Sequence, residues 1–129
     1  MIRRALWAVA LGLGVLIVSL FTWDAVTRQI TSNRLRDRTA YWTAAVGSGV
    51  RVGETREEAE RWLRKTFRTQ PSNRDFYDEY NHSLVVPAET IAVVGVTFPC
   101  AAWMILVDIK LGADGRVTSR TVKTSGACV

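Results

Sequence analysis

Hydrophobic and polar positions divide this chain abruptly. From Ala5 to Trp23 the sequence ALWAVALGLGVLIVSLFTW carries no charge. As a helix this run rises roughly 28 Å, close to the ~30 Å hydrocarbon thickness of a bilayer. It predicts a transmembrane anchor over residues 1–23. Residues 24–49 then mix Arg, Thr and Ala with Ile30, Leu35, Tyr41 and Trp42, a weak period that reads as a juxtamembrane stalk continuing the helix. Gly47-Ser48-Gly49 breaks the pattern. It is not G-x-S-x-G, so it suggests no nucleophile elbow.

From residue 50 onward the pattern is that of a small α+β domain, 50–129. Thr55-Arg56-Glu57-Glu58 is a capping box, and Ala59, Trp62, Leu63 and Phe67 follow on one apolar face. Acidic residues open this segment and basic residues close it, which complements the helix dipole. The expectation is a helix over 56–68 with Trp62 and Phe67 in the core. Gln70-Pro71 ends it, and Ser72, with Asp75 behind it, predicts a second short helix through Tyr80. Phe76, Tyr77 and Tyr80 cluster there among Asp75, Asp78 and Glu79. These residues form either a partner-binding patch (Phe76, Tyr77, Asp78, Tyr80) or packing at a sheet edge, and the sequence leaves both readings open.

Three strands are expected next. Glu89–Phe98 is rich in β-branched residues, and Ala102–Leu111 and Arg116–Thr124 flank Gly112-Ala113-Asp114-Gly115, a hairpin signal. Trp103, Ile105, Val107, Ile109 and Leu111 alternate with Asp108 and Lys110. Met104 and Leu106 make the other face apolar as well, so a partner or a membrane is expected there, opposite the helices. The expected architecture is an N-terminal transmembrane helix followed by two helices packed on a three-stranded antiparallel sheet.

The hairpin brings the two cysteines together. A turn centred between Ala113 and Asp114 makes paired positions sum to about 227, which sets Cys100 opposite residue 127. A bulge shifts the sum by one and makes Cys100 and Cys128 direct partners. A disulfide there closes a loop of about 29 residues and contributes on the order of 3 kcal/mol in the chain-entropy treatment. It implies an oxidising compartment, with the N-terminus cytoplasmic and the C-terminal domain periplasmic or otherwise extracytoplasmic. CxxC redox chemistry and a cysteine zinc site are excluded by the spacing.

Composition changes this picture little. The chain has 129 residues and a formal net charge of +5, of which Arg3 and Arg4 precede the apolar run. The remaining bias is too mild for a nucleic-acid partner. Arg28, Arg34, Arg36 and Arg38 gather at the membrane end. Arg3, Arg4 and an apolar run also describe a secretory signal peptide. An uncleaved anchor is favoured by the length of the run and by Ser19-Leu20-Phe21-Thr22-Trp23, which holds no small-x-small cleavage site. Trp7 and Trp23 lie where interfacial aromatics belong. Gly12 and Gly14 do not form a GxxxG face.

Gly53-Glu54-Thr55-Arg56-Glu57-Glu58-Ala59, with Leu63 after it, resembles the G-M-T-x-x-E-V…L opening of the SmpA/OmlA (BamE-like) small envelope lipoproteins. The resemblance covers about residues 50–129 and ends in LGADGRV. It implies the fold those proteins share with β-lactamase-inhibitor-like domains, two helices before a three-stranded sheet, and a role in binding other proteins of an envelope assembly. Glu54 stands where that pattern has Met, and no lipobox cysteine follows the apolar run.

Nothing in the sequence builds a catalytic, cofactor or metal site. The one histidine, His82, neighbours Ser83 beside a predicted turn, and no phosphate loop, HExxH or EF-hand pattern occurs. Three functions remain: an accessory protein-binding domain held at the membrane, a membrane-presented hydrolase inhibitor using segment 72–83, and a structural subunit whose transmembrane helix makes the main contacts.

Overall fold

The computed structural model describes residues 2–67, 76–93 and 100–128. Helix α1 runs without interruption over Ile2–Gly49. At 1.5 Å per residue it is roughly 70 Å long, more than twice the thickness of a bilayer core. No proline falls within it, and its two mid-run glycines, Gly12 and Gly14, stay helical. Residues 3–23 are exposed on every side. Beyond them one stripe turns inward: Thr27 and Thr31 are buried, Trp42 is half-buried, and Val46 and Val50 are fully buried.

That stripe explains why the period was weak. Two of its buried positions are threonines, whose hydroxyls donate to the carbonyls of Trp23 and Thr27 one turn back. The backbone satisfies them locally, so polar residues occupy a buried face without an unmet hydrogen bond. Residues 24–49 are therefore helical throughout, and their last turns belong to the core of the domain.

Gly49 ends α1 where the chain crosses closely over Trp62. A Cβ at Gly49 would lie 2.0 Å from the indole Nε1. The chain then turns through Gly53, whose φ of 92° suits glycine. The Gly53 N–H donates to the Val117 carbonyl at 2.8 Å, and the Val117 N–H donates to that of Glu54 at 2.9 Å. Helix α2 covers Arg56–Thr66 and opens with both bonds of the capping box. Phe67 caps its end, and Ala59, Leu63 and Phe67 are buried. The helix thus stops short of the expected residue 68, which lies outside the described residues.

The sheet corrects the sequence expectation. It has four antiparallel strands in the order β1-β2-β3-β4, not three: β1 Tyr77–Asp78, β2 Ser83–Ala92, β3 Cys100–Leu111 and β4 Val117–Cys128. The helix expected to reach Tyr80 is replaced there by β1 and a turn. Asp78 competes for the local backbone: its carboxylate accepts from the N–H groups of Tyr80 and Asn81 and from the Asn81 side chain. That pattern favours a turn over a helix. Ser72 and Asp75, the expected cap, lie outside the described residues. Two helices are present among the described residues, and the second helix that packs on the sheet is supplied by the far half of α1.

Strand β2 begins six residues before the expected Glu89, and residues 94–98 of the expected strand lie outside the described region. Pro87 concealed its start. The β2–β3 register shifts between Pro87 and Glu89, and β1 pairs only with Ser83 and Leu84, so the proline sits at a bulge past the end of its neighbour.

The β3–β4 hairpin forms over the expected Gly112–Gly115 segment but centres one residue later than expected, between Asp114 and Gly115, since most of its pairs sum to 229 rather than about 227. Gly115 has a φ of 73°, and Asp114 Oδ1 accepts the Arg116 N–H at 3.1 Å. Leu84, Val86, Val107 and Ile109 form the inward face of the sheet with Val117. Val46 of α1, Val50 just past its end, Ala59 and Leu63 of α2 and its cap Phe67 complete the core against them.

Candidate functional site

Segment 76–83 carries the residues the sequence proposed for partner binding, and it divides them. Phe76 is buried in the core. Tyr77 is half-buried, with the Arg56 guanidinium 4.1 Å above its ring and its hydroxyl 2.9 Å from His82 Nδ1. Asp78 holds the turn. Its carboxyl lies below the ordinary carboxylate range, first because the Asn81 side chain donates to it, then through the Asn81 and Tyr80 amides and the nearby His82. Tyr80 alone points away, 93% exposed at the tip. His82 adopts a φ of 46°, the left-handed region that closes this turn.

A second polar cluster joins α1 to the sheet. Glu89 Oε2 accepts from Arg38 Nε at 2.7 Å and from Trp42 Nε1 at 3.0 Å. Burial raises the Glu89 pKa, but the bonds from Trp42 and Arg38 outweigh it and hold the carboxyl below its ordinary value. The Trp42 ring stacks on Phe67 with centroids 5.1 Å apart, so one side chain touches α1, α2 and β2 together. Sequence reasoning missed this cluster. Its only signal was Arg38 and Trp42 one turn apart on α1; their partner lies 47 residues beyond the tryptophan.

Strand β3 has two different faces. Ile105, Val107 and Ile109 point inward and are fully buried, whereas Met104 and Leu106, on the opposite face, are half-buried. Asp108 shares that outer face, is 6% exposed and pairs with Lys123 through Oδ2. Its Oδ1 is buried without a partner among the described residues.

The cysteine register is resolved by two bulges. Most β3–β4 pairs sum to 229, as in Lys110 with Ser119 and Ala102 with Ala127. That register would place residue 129 opposite Cys100. A shift between Cys100 and Ala102 brings Cys128 directly opposite Cys100 instead, and a matching shift at Lys110/Leu111 tightens the turn. No free cysteine occurs among the described residues.

At the other end of the molecule Trp7 and Trp23 are exposed on α1, as are Arg3 and Arg4. Among the described residues α1 is the one helix long and apolar enough to cross a membrane, a description that a signal sequence also meets. No group of three or more His, Cys, Asp or Glu residues able to hold a metal is found among the described residues. No protein-family model, curated protein or solved structure matches the chain.

Proposed function

We propose that this chain is a single-pass, membrane-anchored envelope protein whose extracytoplasmic α+β domain binds other proteins as an accessory part of an assembly. The observation that carries this reading is the unbroken α1, in which an exposed apolar run continues as helix to the buried core residue Val46, with buried Val50 just past its end. An exposed run of that length is costly in water and favourable in lipid. The facing positions of Cys100 and Cys128 support a disulfide, and with it a non-reducing compartment for the domain. The SmpA/OmlA-like motif at Gly53–Ala59 supports a binding role.

Photo-crosslinking groups placed on the domain surface of the full chain in intact cells test this. Capture of the same envelope protein with the native residues 1–23 and with an unrelated anchor is the expected result. A partner lost on exchanging the anchor points to a structural subunit instead. No envelope protein captured from any domain position contradicts the proposal.

One observation favours a second reading, a hydrolase inhibitor presented from the membrane. Tyr80 stands free at the tip of a turn braced by Asp78, a shape suited to insertion into a cleft. Replacement Tyr80→Ala would then abolish inhibition of the target enzyme without altering stability.

A further inference from the structure

The same continuous helix that joins anchor to core also fixes where the domain sits, and this inference rests on the anchor reading above. A stalk of 26 residues would hold the domain about 39 Å from the bilayer if its contacts began only after Gly49. They begin far earlier. Asp24, directly after Trp23, has one carboxylate oxygen buried, and Thr27 and Thr31 are 3% and 7% exposed. One face of the helix is therefore covered by protein from the first turn beyond the apolar run, while Val26 and Ile30 stay exposed.

Strand direction agrees. β4 starts beside Gly53 and Glu54, past the far end of α1, and Arg120 donates to the Val50 carbonyl. Four residues later Thr124 shares a groove with Leu35, Thr39 and Thr43 of α1. β4 thus descends α1 toward the apolar run. From Thr124 to Cys128 is about 13 Å of strand, which matches about nine helical residues and puts Cys128 level with about residue 30. That level is about 10 Å beyond Trp23, close to the outer limit of a headgroup layer about 5–7 Å deep. Arg28 lies in the same zone, with its side chain 64% exposed while it pairs with Asp24 at 2.8 Å.

We infer that the domain is seated directly on the lipid headgroups, with the Cys100–Cys128 end of the sheet toward the bilayer and the Ala113-Asp114 turn and Tyr80 on the far side of β3 and β2. The partner of this lower end is the phospholipid surface that the anchor itself enters. Arg28 supplies a guanidinium for headgroup phosphate, and Trp23 marks the boundary. Binding partners therefore approach from the side or from above, and the lower end is withheld from them.

Energy transfer measures this directly. The full chain is reconstituted into phosphatidylcholine–phosphatidylglycerol vesicles bearing a headgroup-linked acceptor. A genetically encoded fluorophore replaces Ser125 in one variant and Ala113 in another. The expected result is several-fold stronger transfer from position 125. Inserting seven helix-forming residues between Trp23 and Asp24 should lift the domain by about 10 Å and weaken that transfer. Equal, weak transfer from both positions in protein that stays with the vesicles overturns the seating while leaving the anchor intact. Protein released from the vesicles by alkaline carbonate overturns the anchor, and the seating with it.

Discussion

The indole N–H of Trp42 donates to the Glu89 carboxylate at 3.0 Å, joining the last turns of α1 to β2 across 47 residues of sequence. Arg38, one helical turn earlier, donates to the same oxygen. A half-buried carboxylate with two donors fixes the rotation of α1 about its own axis. The apolar contacts of Val46 and Val50 then face the sheet.

Replacing Trp42 by Phe keeps a ring to stack on Phe67 but removes the donor. The expected cost is about 1–2 kcal/mol, because Glu89 stays half-buried with one partner fewer. Urea unfolding of the detergent-solubilised chain reads this as a lower midpoint with an unchanged slope. An unchanged midpoint would mean that the bond contributes nothing.

Acid should weaken the same contact. The folded Glu89 pKa is depressed, so its contribution is fully present above the ordinary value of 4.5 and is lost as pH falls through the lower folded value. Glu58 shifts in the same direction, chiefly through the Thr55 N–H, so acid sensitivity of the native chain has more than one source. Comparison with Glu89→Gln isolates one of them. The stability gap between the two proteins should narrow between about pH 5 and pH 3. A gap that widens on acidification contradicts the assignment.

Two glycines two residues apart should respond oppositely to alanine. A methyl on Gly49 meets the Trp62 ring, whereas one on Gly47 meets nothing within 4 Å. Gly49→Ala is expected to cost about 1–3 kcal/mol by overpacking. Gly47→Ala should gain about 0.5–1 kcal/mol from helix propensity. Thermal unfolding of the pair checks the sign of each.

The capping box at Thr55 gives a further local test. Thr55→Ala removes the hydroxyl that accepts the Glu58 N–H and should cost about 1 kcal/mol. Thr55→Ser should restore most of it. Equal loss in both would implicate the methyl group rather than the cap.

Local chemistry explains which parts of this fold were legible in the sequence. Helix α2 declared itself because Thr55 and Glu58 are three residues apart and Ala59, Leu63 and Phe67 repeat at helical spacing. The β3–β4 hairpin did so through Asp114-Gly115. Long-range effects were hidden. Thr27 and Thr31 disguised the buried stripe of α1, so its role as a core helix was missed. Pro87 hid the start of β2, and Asp78 diverted an expected helix into β1. The proposed binding residues split for the same reason: burial of Phe76 depends on α2 and the sheet, which no local pattern reports. The facing of Cys100 and Cys128 was legible only to within one residue, and the ladder between them was not: its pairs sum to 229 rather than about 227, and the bulge between Cys100 and Ala102 takes one residue back.

The central claim joins an inserted helix to a domain in a non-reducing space, and thiol counting on freshly isolated membranes tests both halves at once. Membranes are washed with alkaline carbonate, denatured in the presence of an alkylating agent without reductant, and the intact chain is weighed by mass spectrometry. The account predicts a full-length chain in the membrane pellet that takes up no alkyl group, and two groups after reduction. A chain shortened near Trp23, or one carrying two alkyl groups before any reductant is added, would contradict it.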